Sequence, residues 1–145
     1  MSFNRHLFSS ATGEWETPQE LYNALNSEFG FTLDACASVD NAKVATYYSE
    51  DSLNKPWCGV VWCNPPYGRE IGKWVKKGLE SAHAGTTVVM LLPSRTDTKW
   101  WHESVMTASE IRFIKGRLKF GGAKNSAPFP SVIVVFGPKN EKRSS

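Results

Sequence analysis

The stretch Thr87–Leu92 reads Thr-Val-Val-Met-Leu-Leu, unbroken by any charged residue, and stops at Pro93. A strand with one face in water alternates polar and apolar side chains, so a continuous apolar run belongs to a strand buried on both faces. Its sheet therefore needs a covering layer on each side. Helical patterns supply those layers. Thr17 as N-cap, Pro18 at the first helical position and Glu20 as capping-box partner predict a helix lined by Leu21, Leu25 and Phe29 and closed by Gly30. A second helix is predicted from Glu70 to Ala84, with Ile71, Trp74, Val75, Leu79 and Ala82 inward, Lys73, Lys76 and Lys77 mostly outward, and Gly85 as the stop. A third, capped by Thr96 or Asp97, extends through Val105. Further strands are expected at Phe31–Cys36, Val44–Tyr48, Val60–Cys63, Ile111–Lys115 and Ser131–Phe136.

Strands alternating with helices predict an α/β fold with a mainly parallel sheet covered on both faces. Ligands of such sheets bind beyond the strand carboxyl ends, in the crevice where the strand order reverses. If the Phe31 and Val60 strands are neighbours there, Asp34 and Asn64 lie side by side. A carboxylate at the end of a buried strand marks a site more often than a structural pair.

The chemistry-bearing motif is Asn64-Pro65-Pro66-Tyr67, where the Val60–Cys63 strand ends. Two consecutive prolines lock φ, remove two N–H donors and hold the turn rigid, while their carbonyls remain acceptors. An exocyclic amine on a base, or a carboxamide, is a poor nucleophile because its lone pair is delocalised into the π-system. If the Asn64 oxygen and the Pro65 carbonyl each accept one N–H, the nitrogen is drawn toward sp³ geometry with its lone pair aimed along one line. Tyr67 can stack on the flat group. Such a site suits methyl transfer to a planar nitrogen, activated by orientation and electrostatics rather than by a general base. A plain Pro-Pro turn is the bland alternative; Asn before and Tyr after, at a strand end, favour the functional reading.

A chain of 145 residues is the size of one domain, here 1–145, with residues 1–14 and 139–145 expected to be flexible. That length leaves no room for a separate recognition domain. No apolar run approaches membrane-spanning length and the first residues lack a signal-peptide layout, so a cytoplasmic protein without membrane association is expected. Cys36, Cys58 and Cys63 are odd in number, lack metal-type spacing and sit in or beside apolar segments, so they read as buried reduced thiols. His6, His83 and His102 are scattered, and no metal is expected. Charge is unevenly spread. Residues 1–60 hold three cations against eight acids, a net of −5, and residues 61–145 hold fourteen against six, a net of +8. That split suits a cationic cofactor on one side and a polyanion on the other. Arg95, Lys99, Arg112, Lys115, Arg117, Lys119 and Lys124 are candidates for a phosphate-facing surface, an ordinary solvated face being the alternative.

Taken together, Trp15-Glu16-Thr17-Pro18, Leu33-Asp34-Ala35-Cys36-Ala37, Asn41-Ala42-Lys43, Asn64-Pro65-Pro66-Tyr67, Leu91-Leu92-Pro93 with Asp97 and Trp100-Trp101-His102, Gly116-Arg117-Leu118 and the Pro128–Ser131 loop resemble the phage N-6-adenine DNA methyltransferase family. The resemblance runs from about Trp15 to Phe136. It implies a compact Rossmann-like methyltransferase sheet with an antiparallel final strand, S-adenosylmethionine as cofactor, and the N6 of adenine in DNA as the methyl acceptor. It also implies a host-cell cytoplasmic location if the chain is phage-encoded.

By resemblance, Asn64, Pro65, Pro66 and Tyr67 form the catalytic motif, with Asn64 also facing the cofactor. Thr17 and Pro18 would hold the methionine moiety of the cofactor, although helix capping alone explains both. Asp34 would sit beneath it and Asp51 would accept from its adenine amine, unless Asp51 is simply a loop acid. Asp40 either bonds a ribose hydroxyl or caps the segment starting at Asn41. The usual glycine-rich turn is missing, since no glycine lies between Gly30 and Gly59; close approach to the cofactor then depends on the small residues Ala35, Cys36, Ala37 and Ser38. The distance from Phe31 to Asn64 is also too short for the usual three strands and three helices, which predicts an abbreviated sheet edge.

Adenine inside a duplex cannot reach such a pocket, so it must be flipped or single-stranded. Expected DNA contacts are Arg5–Gly13, Arg69, Arg95, Arg117 and the loop from Lys119 to Lys124. Phe8, Phe120 and Phe129 either wedge between bases or, as is commoner, belong to the core. Sequence specificity should be short or relaxed, and the chain a monomer or weak homodimer. Two other readings keep their place: methylation of RNA adenine or of a protein glutamine amide by the same tetrapeptide, and a non-catalytic DNA-binding module with a degenerate methyltransferase fold.

Overall fold

A computed structural model describes residues 15–137 of the chain. The Arg5–Gly13 segment, Phe8 and the tail from Lys139 lie outside the described residues.

Five strands form one sheet: β1 (Leu33–Asp34), β2 (Val60–Cys63), β3 (Thr87–Pro93), β4 (Glu110–Phe113) and β5 (Ser131–Phe136), in the order β1-β2-β3-β5-β4. The pairs β1–β2 and β2–β3 are parallel, while β5 runs antiparallel to both β3 and β4. Four strands thus share one direction and the final strand opposes them, as expected. Among the described residues three α-helices accompany the sheet: α1 (Gln19–Phe29), α2 (Ile71–His83) and α3 (Lys99–Glu103). Among the described residues no helix is long and apolar enough to cross a membrane.

The apolar run in β3 behaves as its pattern requires. Val88, Met90 and Leu92 pack with Val132, Val134 and Phe136 of β5 under Ile71 and Val75 of α2 and Trp101 of α3. Val89 and Leu91 face the other way, joining Trp62, Ile133 and Val135 under Tyr22 and Leu25 of α1 and under Phe120 and Phe129 of the segment joining β4 to β5. Alternation across the pleat therefore sends every second residue to a different layer, and both layers are apolar. Helix α2 lies close because Gly78 has no side chain; a Cβ there would come within 2.9 Å of the Met90 sulfur.

Several boundaries differ from the sequence expectation. Gly30 closes α1 in the left-handed region (φ 70), but the N-cap is Pro18 and no side chain caps the helix. The capping box does not form because the buried Thr17 hydroxyl is engaged elsewhere, as described below. The buried face of α1 is Tyr22 and Leu25, with Leu21 and Phe29 only partly covered. Helix α3 is one short turn capped by the Thr98 hydroxyl, which accepts from the Trp101 N–H at 3.2 Å, rather than by Thr96 or Asp97. A 3₁₀ turn at Val105–Thr107 follows it.

The sheet edge is abbreviated, as the short spacing predicted. Strand β1 has two residues, and the expected Val44–Tyr48 strand shrinks to a single bridge between Tyr47 and Asp34, because so short an edge offers nothing more to pair with. Strands β1, β2 and β3 follow one another in chain order, so the chain does not reverse between β1 and β2. The expected topological switch point is absent there, and the cleft opens at the carboxyl ends of a truncated edge instead.

Candidate active site

Asp34 ends β1 opposite Trp62, and Asn64 follows β2 two residues later, so the parallel pairing brings both to the same end of the sheet. Between them lies a cavity of about 220 Å³ lined by Thr17, Asp34, Cys36, Asn64, Pro65 and Pro66, with Trp15, Glu16, Lys43 and others around it. A second cavity of about 350 Å³ shares Cys36, Ala37 and Ser49 with the first and is walled by Ala35, Asp51, Leu53 and Trp74. Thr17, Asp34, Ala35, Cys36, Asp51 and Asn64 thus line one or other of two adjoining lobes. Pro18 and Tyr67 line neither lobe. Asp40 is exposed and also lies outside both, whereas its neighbour Asn41 lines the first. The wall residues Trp15, Asn41, Lys43 and Ser49 carry no assigned contact in the sequence, and the runs Trp15-Glu16-Thr17-Pro18 and Asn41-Ala42-Lys43 are the available hints.

The carboxamide of Asn64 is held in a single orientation. Its Nδ2 donates to the Trp15 carbonyl and to the Thr17 hydroxyl, the latter at 2.9 Å. The Trp15 carbonyl can only accept, so the amide nitrogen must face it and the oxygen must face away. That oxygen, Oδ1, is buried and has no hydrogen-bond partner among the described residues. A buried acceptor left unsatisfied costs about 1–3 kcal/mol, which an incoming N–H donor would recover. Pro65 is buried beside it, and no backbone N–H of the described residues bonds the Pro65 carbonyl. All described peptide bonds, those of Pro65 and Pro66 included, are trans.

Tyr67 is anchored at both ends. Its hydroxyl donates to the Leu91 carbonyl at 3.0 Å, and its ring meets the edge of Phe129 at 5.6 Å. Burial pushes the phenol well above its usual pKa. The ring plane is thus set by the protein.

Asp34 is almost fully buried. Its Oδ1 accepts from the Cys36 N–H at 3.2 Å and its Oδ2 from the Lys43 N–H at 2.9 Å, so the carboxylate clamps the loop that replaces the missing glycine turn. Burial pushes its pKa up to about 6, against the opposing pull of those two N–H groups and of the Lys43 charge. A carboxylate poised in this way, inside a cleft, is a signature of functional sites. Asp51 sits in the left-handed region (φ 56) at the start of a 3₁₀ turn and accepts from the Asn54 amide at 2.7 Å. Of the three cysteines only Cys63 is buried, and burial raises its pKa; Cys36 is half-buried in the cleft wall and Cys58 is exposed, which corrects the expectation of three buried thiols. Among the described residues no cluster of His, Cys, Asp or Glu could hold a metal ion.

Topology gathers the candidate cations at the cleft's end of the sheet. Arg69 follows β2, Arg95 follows β3, and the 114–130 connection leaves β4 and enters β5 at that same end, since Phe113 pairs with Val132 and Pro93 with Ser131. Arg69, Arg95, Arg117, Lys119 and Lys124 are exposed and form no ion pair with another described residue. Arg112 does not belong with them. Its guanidinium grips both Glu28 oxygens at 2.7 and 2.6 Å and reaches Glu110 at 2.8 Å, tying α1 to β4. Phe120 and Phe129 are buried, so both serve the core rather than standing free as wedges.

Comparison with known proteins identifies the family. The family model described as DNA N-6-adenine-methyltransferase (Dam) matches residues 5–145. A DNA N-6-adenine-methyltransferase of Escherichia phage T1 is 37% identical over 109 residues, covering 72% of this chain and 45% of that protein. One from Haemophilus phage HP1 is 32% identical over 136 residues, covering 86% of this chain and 79% of its own length. The match therefore spans less than half of the phage T1 protein.

Proposed function

The chain belongs to the DNA N-6-adenine-methyltransferase family, and on that premise we propose that it methylates the N6 of adenine in DNA, with S-adenosylmethionine as donor and Asn64 as the residue that receives the target amine. One observation carries the assignment: Asn64 Oδ1 is a buried acceptor without a partner among the described residues, while both hydrogens of the same amide are committed to the protein.

The adenine amine has two N–H groups to place. One goes to Asn64 Oδ1 and the other to the Pro65 carbonyl, and the pair of acceptors draws the nitrogen out of conjugation. As the nitrogen becomes positively charged, the same two dipoles stabilise it; fixed acceptors of this kind typically account for several kcal/mol of barrier lowering. The surplus proton leaves to water. No general base is required in the motif, and none of Pro65, Pro66 and Tyr67 carries one. Tyr67, tied to Leu91, offers the base a ring of fixed plane.

The residues present fit the cofactor. S-adenosylmethionine, when bound, supplies a methyl group on a cationic sulfonium. The lobe containing Thr17, Asp34 and Asn64 would hold the methionine part, with the Asp34 carboxylate complementing its positive charge. The lobe containing Ala35, Cys36 and Asp51 would take the adenine part. Arg69, Arg95, Arg117, Lys119 and Lys124 would track the phosphates while a flipped or single-stranded adenine enters.

Incubation with labelled S-adenosylmethionine and unmethylated DNA, RNA and protein in parallel tests the reading. N6-methyladenine in the DNA alone is expected. Label in RNA or in glutamine would reassign the substrate, and DNA affinity without any S-adenosylmethionine binding would leave a non-catalytic module.

A further inference from the structure

Asn64 can act as an acceptor only while its carboxamide keeps the oxygen toward the substrate, and both groups enforcing that lie in the short segment Trp15–Thr17, almost fifty residues away in the chain. Thr17 is fixed by its own burial at the start of α1. Trp15 is fixed differently. Its ring packs edge-on against Phe120 at 5.3 Å and Phe129 at 5.2 Å, and the carbonyl of its neighbour Glu16 accepts the Gly121 N–H at 2.8 Å. All three partners belong to the 114–130 connection, the segment that carries the exposed cations Lys115, Arg117, Lys119 and Lys124. An unbroken line of contacts thus runs from the cationic segment through Trp15 to the Asn64 amide.

We infer that Trp15 is the positioning residue through which the 114–130 segment, once seated on nucleic acid, aims the Asn64 oxygen at the reacting amine. The inference rests on the methyltransferase reading above and extends it from the motif to its control. A carboxamide flips by rotation about one bond, and a flip would turn two donors toward the target amine. The acceptor-only Trp15 carbonyl forbids this, provided that the ring keeps the backbone in place. Seating the cationic segment on phosphates restrains Phe120, Gly121 and Phe129 together, and hence Trp15. The catalytic geometry is then tightest when DNA is bound, when it is needed.

The test compares Trp15→Ala and Trp15→Phe in the full chain. Trp15→Ala leaves the carbonyl but removes the ring that holds it; single-turnover methylation at saturating S-adenosylmethionine should fall about 100-fold, as expected for a misaligned reacting group. Trp15→Phe, which keeps the aromatic contacts, should recover most of the rate. Asn64→Asp retains acceptor oxygens but has no amide hydrogen for the Trp15 carbonyl, so adding Trp15→Ala to it should cost nothing more. Losses that multiply in the double variant would overturn the inference even with the wild type fully active. A readout independent of turnover is the Asn64 side-chain amide signal in NMR. An oligonucleotide without adenine should shift it in the wild type and not in Trp15→Ala. Equal responses in both proteins would also overturn the inference. Absence of DNA methylation by the wild type, by contrast, would strike the functional reading itself.

Discussion

Asp34→Asn isolates the electrostatics of the cleft. In the fold the carboxyl has a pKa of about 6 against an ordinary 3.8, chiefly because it is buried. The folded value lies above the unfolded one, so the native state holds the proton more tightly. The stability this provides is complete below pH 3.8 and is lost as the pH rises through about 6. The whole swing corresponds to about 3 kcal/mol. Asparagine does not titrate, but its Nδ2 can accept neither the Cys36 nor the Lys43 N–H, which costs about 1–3 kcal/mol at every pH. At pH 4 the variant should therefore be the less stable by about 1–3 kcal/mol, and by pH 7.5 the difference should have moved in its favour by about 3 kcal/mol. Urea unfolding across pH 4–8 reads this directly; with slopes of about 1–3 kcal/mol per molar, the gap between the midpoints should change by roughly 1–3 M over that range. A constant difference across that range would refute the reasoning. The carboxylate that burdens the fold is the one proposed to face a cationic cofactor. S-adenosylmethionine affinity should accordingly drop as the wild type is acidified below pH 6, and calorimetry on Asp34→Asn should find weaker binding without that decline.

The other predictions concern the cations. Arg112→Leu should lower stability by about 1 kcal/mol, less in high salt, because its partners Glu28 and Glu110 are only partly buried. The same variant should leave the salt dependence of DNA binding unchanged; a shallower slope would mean that Arg112 meets phosphate after all. Lys119→Ala and Lys124→Ala should each reduce the slope of log K against log salt by about 1 and leave urea midpoints alone. An unaltered slope in both would remove the 114–130 connection from the DNA surface.

What the sequence revealed depended on how local the cause was. Strands β2, β3 and β5 and helix α2 are written in short-range patterns: unbroken apolar runs, a helical stripe, and glycine or proline at the ends. Asn64-Pro65-Pro66-Tyr67 was legible because two prolines constrain the backbone whatever surrounds them. Thr17 reads as a helix cap, a local role, or by resemblance as a cofactor contact, but its hydroxyl answers to Asn64, far away in sequence. Arg112 looked like one more basic residue until α1 and β4 came together around it. The Val44–Tyr48 segment has strand composition but meets an edge two residues long. Trp15 was the least legible of all, since its link to the site runs through a backbone carbonyl, which leaves no mark on residue choice.

The central claim is that the unpartnered oxygen of Asn64 receives the adenine amine. It is tested most directly by the single-turnover rate of N6-methyladenine formation, with labelled S-adenosylmethionine and an adenine-containing duplex, for wild type and Asn64→Ala shown by circular dichroism to be equally folded. A loss of about 100- to 1,000-fold is predicted, the range typical of removing one such electrostatic partner. A rate in Asn64→Ala equal to that of the wild type would contradict the account.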